Sequence, residues 1–122
     1  MKNIFHLCVI HLRSLVLELR KLVKKRKHPA LIIGKADEIK ESCNILLREH
    51  GEKSDIGKLL QDIKNQAGFI TLAGKGINIL GIPNPDERKR VEKIAFVRNV
   101  QMEDDLEKIY RILKIEYEET QG

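Results

Sequence analysis

The chain reads as a mainly α-helical protein with one small β-hairpin. Three observations predict this. Apolar residues recur at helical spacing along most of the length, most clearly in the first 28 residues. The period then shifts toward alternation on either side of Gly74-Lys75-Gly76. Finally, 42% of the 122 residues are hydrophobic but only 4% are aromatic and none is Trp, so any core must be built from Ile, Leu and Val. An α+β two-layer sandwich, with strands at 30–34, 69–72, 77–82 and 94–98, is the alternative.

The first helix is expected over about residues 3–27. Phe5, Cys8, Leu12, Leu15, Leu19 and Leu22 recur at steps of three and four, with Val9, Val16 and Val23 beside them. This is an a/d-type stripe over about three heptads, the pattern a helix needs to bury a seam against another helix. The six residues of the main row are therefore expected to join copies of the chain into a homo-oligomer. His28-Pro29 ends the helix, because the residue before a proline is pushed out of helical geometry. Residues 1–28 thus form an oligomerisation helix with a basic end, and residues 29–122 a helical domain carrying the hairpin.

Ala30-Leu31-Ile32-Ile33 fits either a short strand closed by Gly34 or the first turn of helix two. Helix two is expected from Ala36 to His50, with Gly51 as its stop. Ser54 is the expected N-cap of helix three, whose stripe is Ile56, Leu59, Leu60, Ile63 and Ala67, with Gly68 as its end. Phe69–Leu72 and Ile77–Leu80 then read as two strands. Asn84 as N-cap, Pro85 at the first helical position and Glu87 as reciprocal carboxylate start the next helix. Ala95-Phe96-Val97 can break away as a third strand. Asp104 and Asp105 would begin a last helix, where they complement its dipole.

Charge is unevenly placed. Residues 1–28 carry eight Lys/Arg and one acid, a net of +7 in a chain of +5, so the rest sums to −2. Arg20, Lys21, Lys24, Lys25, Arg26 and Lys27 crowd into one run, and residues 103–119 carry a net −4. Lysine and arginine neutralise phosphates without reading sequence, so the run, with Lys75, is the candidate nucleic-acid-binding set for DNA or RNA. No aromatic is interleaved in the run, so stacking on single-stranded bases is not indicated. The competing expectation is that the acidic stretch lies against the basic one, within the chain or between subunits.

No catalytic or metal-binding signature emerges, and no cofactor is expected. His6, His11, His28 and His50 lack ligand spacing. Gly74-Lys75-Gly76 lacks the other P-loop residues. Cys8 and Cys43 fall on apolar faces, as buried reduced thiols of a cytoplasmic protein do. His6, His11 and Arg13 interrupt the apolar stretch that a signal peptide needs. Arg13 and Glu18 break any run of the roughly 20 apolar residues that a spanning helix needs. An interfacial amphipathic anchor is the remaining membrane reading.

Residues 38–82 partly resemble the winged helix-turn-helix DNA-binding domain. The matching text is Ile39–Gly51, then Ser54-Asp55-Ile56-Gly57-Lys58-Leu59-Leu60, then Ala67-Gly68-Phe69-Ile70, with Gly74-Lys75-Gly76 at the tip of a wing. Only seven residues separate Leu60 from Gly68, so the family's second and third helices would be fused or truncated here. The resemblance implies a helix entering the major groove and a wing touching backbone. The function expected is that of a non-enzymatic, self-associating nucleic-acid-binding protein. The alternatives are an assembly subunit that touches no nucleic acid and a small α+β ligand-binding protein.

Overall fold

Four amphipathic helices, each too apolar on one side to stand in water, bury those sides against one another. The computed structural model describes residues 4–77 and 81–114. It contains α1 (Ile4–Lys24), α2 (Pro29–His50), α3 (Asp55–Ala73) and α4 (Pro85–Leu113). Each helix packs on the next in the chain, and α4 closes the ring on α1. With the short turns between the first three, this is an up-down-up-down four-helix bundle.

The stripe of α1 is core. Val9, Leu12, Leu15, Val16 and Leu19 are buried, and Phe5, Cys8 and Leu22 pack partly buried against them. They meet Ile32, Ala36, Ile39, Cys43 and Leu46 of α2, Leu60, Ile63, Ala67 and Ile70 of α3, and Val91, Ala95, Met102, Leu106 and Ile109 of α4. The row expected to join subunits is thus covered by the chain's own helices, and its burial requires no second copy.

The hairpin is absent: among the described residues there is no strand. Phe69–Leu72 continue α3, which ends at Ala73 and not at Gly68. Ile70 is the reason, because it extends the stripe Ile63-Ala67-Ile70 by one more turn and is fully buried. Phe69 and Leu72 face outward, so what looks like alternation is one buried residue between exposed ones. Of the second expected strand, Ile77 lies in the α3–α4 connection and 78–80 lie outside the described residues. The sandwich alternative fails for the same reason. Residues 30–34 are the first turns of α2 and 94–98 lie within α4. Asp104 and Asp105 do not begin a helix but sit inside the single 29-residue α4.

The helix starts follow local chemistry. Ser54 Oγ accepts from Gly57 N at 2.9 Å, and Asn84 Oδ1 accepts from Asp86 N at 2.8 Å, with Pro85 next. Lys35 ties α2 to α1: its Nζ lies 2.8 Å from Glu18 Oε2 and 2.9 Å from Glu38 Oε2. The bond to Glu18 first, then that to Glu38, raises the Lys35 amine above its ordinary value.

Two glycines separate open space from close approach. A Cβ on Gly57 would overlap the Gly51 carbonyl oxygen, because the α2–α3 turn folds onto the start of α3. Gly34, inside α2, has nothing within 4 Å of that position. Gly34→Ala should therefore stabilise the fold by about 0.5–1 kcal/mol through helix propensity alone. Gly57→Ala should destabilise it by about 1–3 kcal/mol through overpacking. Urea unfolding of the two variants checks the opposite signs; equal shifts would refute the close approach.

Candidate functional site

The site is built where α1 ends. Arg26 N donates to Val23 O and Lys27 N to Leu22 O, at 3.1 and 3.0 Å. This pair of bonds is the Schellman closure of a helix, which puts its C′ residue in the left-handed region. Glycine is the usual occupant, yet here it is Arg26, at φ 50°. A non-glycine residue there costs about 1–2 kcal/mol. The next helix starts almost at once. His28 Nδ1 accepts from Ala30 N at 3.0 Å, and its Nε2 lies 3.0 Å from Gly81 O. The neutral tautomer with its proton on Nε2 serves both bonds, so one ring caps α2 and ties the α1–α2 turn to the α3–α4 connection.

The antiparallel course of the bundle brings the start of α4 to the same end. Arg26 Nε lies 3.3 Å from Glu92 Oε2, and Arg88 Nε lies 3.6 Å from the same oxygen. Arg88 also donates to the Arg26 carbonyl, and Arg90 donates to Ala73 O at 3.1 Å. These bonds join α1, α3 and α4 into one basic surface. Lys21, Lys24, Lys25 and Lys27 contribute from α1 and its turn, and Lys75 from just beyond α3. Arg88, Lys89, Arg90 and Lys93 contribute from α4, against Asp86, Glu87 and Glu92. Among the described residues Lys21, Lys24, Lys25, Lys27 and Lys75 make no ion pair, in contrast to Lys35 with its two carboxylates. Among the described residues, Arg20 and Arg26 are the paired members of the basic run, Arg20 with Glu103 at 3.4 Å.

Of the acidic stretch, Glu103 pairs with Arg20, and the described residues beyond it run away from the basic end. Because α4 runs antiparallel to α1, residues beyond Glu103 move toward the start of α1 and away from Lys24–Lys27; Arg13 sits over the Tyr110 ring at 5.6 Å. Residues 115–119 lie outside the described residues. The basic residues of α4 are the ones that sequence reasoning missed. Their signal was the run Arg88-Lys89-Arg90 directly behind a strong helix start, and only the bundle's topology sets it beside Lys24–Lys27.

The expected wing is not formed, since Phe69–Leu72 are helical; Lys75 reaches the basic end as part of the α3–α4 connection instead. Cys43 is fully buried, and burial pushes its thiol up to about 12, which leaves it without nucleophilic character; Cys8 is half-buried and likewise free. Among the described residues no group of three or more His, Cys, Asp or Glu could hold a metal ion, and no helix is long and apolar enough to cross a membrane. Comparison of the chain with protein-family models, with curated proteins and with solved structures finds no match.

A second polar feature lies between α3 and α4, remote from the basic end. Asp105 is buried, and burial first, then its bond to Asp62 and the Asp62 charge, push its carboxyl up to about 8. Lys108 opposes this shift and Asp104 adds to it. Asp105 Oδ2 is buried with no hydrogen-bond partner among the described residues, so the charged form is disfavoured. Gln66 Nε2 donates to Asp62 Oδ1 at 3.4 Å, and Arg98 donates to Gln66 Oε1 at 3.1 Å. Between about pH 4 and pH 8 the folded chain holds a proton that the unfolded chain has released, so stability falls as pH rises through that window. Asp105→Asn keeps the size of the side chain and removes the titration. It should raise the Tm most at pH 8 and above, with the difference shrinking toward zero near pH 4. Thermal melts across this range check it; a pH-independent difference would refute the raised Asp105 carboxyl.

Proposed function

We propose that this protein is a non-enzymatic nucleic-acid-binding protein that holds phosphate backbone on the basic end of its bundle. One observation carries the reading. Lysines from the α1–α2 turn, from the end of α3 and from the first turns of α4 converge on one surface, and most of them have no carboxylate partner there. Like charges brought together raise one another's energy, and the described residues give no compensating ion pair for Lys24, Lys25 or Lys27. Phosphates supply that compensation and release their counterions on binding.

The self-association expected from α1 is not part of this reading, since its apolar row is spent on the chain's own core. A second reading, an assembly subunit that touches no nucleic acid, is favoured by the exposed apolar residues Phe96, Val97 and Val100 on α4.

If the basic end grips duplex phosphates, log affinity should fall linearly with log salt, by roughly 0.9 for each phosphate neutralised. Replacing Lys24, Lys25 and Lys27 by Gln should flatten that slope by up to about three units and, because these charges are exposed and repel one another, leave the fold intact with a Tm no lower than that of wild type. Replacing Lys40, Lys53 and Lys58 by Gln removes the same charge from positions outside the basic end and should leave the slope as it is. Mixed-sequence DNA and RNA titrated at several salt concentrations test this. Equal effects of the two triple variants, or no binding by wild type at low salt, would overturn the proposal.

A further inference from the structure

We infer that the cavity between α1 and α4 takes one unstacked base of a single nucleic-acid strand whose backbone lies on the basic end; this rests on the function proposed above. The cavity measures about 130 Å³. A dry protein cavity of about 150 Å³ accommodates a benzene ring, so the scale is that of one six-membered ring. Phe96 and Val100 of α4 and Val23 of α1 form its walls. Asn99 forms its floor, fixed by the bond from its Nδ2 to Val16 O at 2.9 Å, so that its amide is a rigid polar group against which a base edge can register. The Arg20–Glu103 pair closes one side of the rim, and Lys24 stands on the other.

The core accounts for Val23, which packs partly buried against it, but not for Phe96 or Val100. Phe96 is 59% exposed and Val100 51%, although inward positions of the same helix hold Asn99 and Asp105. An exposed aromatic face beside lysines is the arrangement on which bases of a single strand stack while their phosphates track cations. The charge around it fits that occupant. Lys24 is on the rim, and Lys93 lies one helical turn from Phe96 and Val97 toward the basic end. An aliphatic side chain of a protein partner would fill the walls but give nothing to Lys24, Lys93 or the amide floor. Paired bases inside a duplex are stacked and cannot enter, so the cavity distinguishes single strands from double.

The chain has no Trp, so Phe96→Trp places a unique fluorophore in the wall. A short mixed-sequence single strand should quench it, whereas the same sequence as duplex, or a mononucleotide at equal nucleotide concentration, should not. Phe96→Ala should weaken binding of the single strand about tenfold, leaving duplex binding and the salt slope unchanged. Phe96→Leu, which keeps apolar volume without the ring, should lose nearly as much. Circular dichroism confirms that the variants are folded. Unchanged single-strand affinity in Phe96→Ala, or rescue by Phe96→Leu, would overturn the base pocket while leaving the basic-end reading intact. Quenching by a mononucleotide as strong as by the strand would overturn the strand as its occupant. Absence of binding by any nucleic acid at low salt would remove both readings together.

Discussion

Burial of the α1 stripe between α2 and α4 is the constraint on which the arrangement turns. Val9, Leu12, Val16 and Leu19 reach zero exposure only because α4 lies alongside α1 as well as α2. That closure fixes which residues of the two helices become neighbours. Arg26 then meets Glu92, Val16 meets Asn99, and the first turns of α4 arrive beside the turn that follows α1. Concentrating so many cations works against folding, and the two contacts of Glu92 with Arg26 and Arg88 offset only part of that repulsion. The aliphatic core supplies the rest. The basic end is therefore a product of packing and not a local property of residues 20–28.

The turn at that end carries a second sign that it is not merely a helix terminus. A glycine at position 26 would satisfy the same Schellman bonds without backbone cost, and yet the chain places an arginine there at positive φ. Its side chain reaches Glu92 and its carbonyl receives Arg88, so the strained residue is the one that binds α1 to α4. Stiffness follows from this. With the His28 ring linking the same turn to Gly81, the lysines around it stand on a fixed base, which limits the ordering cost of gripping a partner.

Much of this was legible in the sequence, and what was not has definite physical causes. The stripe of α1 and the starts at Ser54 and Asn84-Pro85 depend on a few adjacent residues, so they could be read directly, whereas α1 closes at Lys24 on the turn at Arg26, ahead of the expected stop at His28-Pro29, which instead opens α2. The hairpin could not be judged that way. Gly68, Gly74 and Gly76 bracket a β-branched and aromatic stretch that suits a strand locally, and only the buried partner surface for Ile70 decides for a helix. Likewise Asp104-Asp105 has the composition of a helix start, but Leu106 and Ile109 prolong the buried row of Val91, Ala95 and Met102, and α4 runs through. The charged site was half legible for the same reason. The run at 20–27 is contiguous, whereas its partners Arg88 to Lys93 are joined to it only by the fold.

The α4 helix shows where local rules and global packing part company. Its outer face exposes Phe96, Val97 and Val100, while its inner face buries Asn99 and Asp105. Each departure costs stability: apolar surface left in water, a carboxyl stripped of solvent. Asn99 is accommodated by its bond to Val16 O, whereas Asp105, its carboxyl raised by burial, keeps an Oδ2 with no partner among the described residues. Nothing among the described residues covers Phe96 or Val100, and they border a cavity with an amide at its floor and lysine at its rim. Sequences that specify one fold break their own pattern mainly at functional or strained positions. In α4 the apolar break at Phe96 and Val100 lies on the surface that continues into the basic end. That continuity is what makes the cavity and the cations parts of one site.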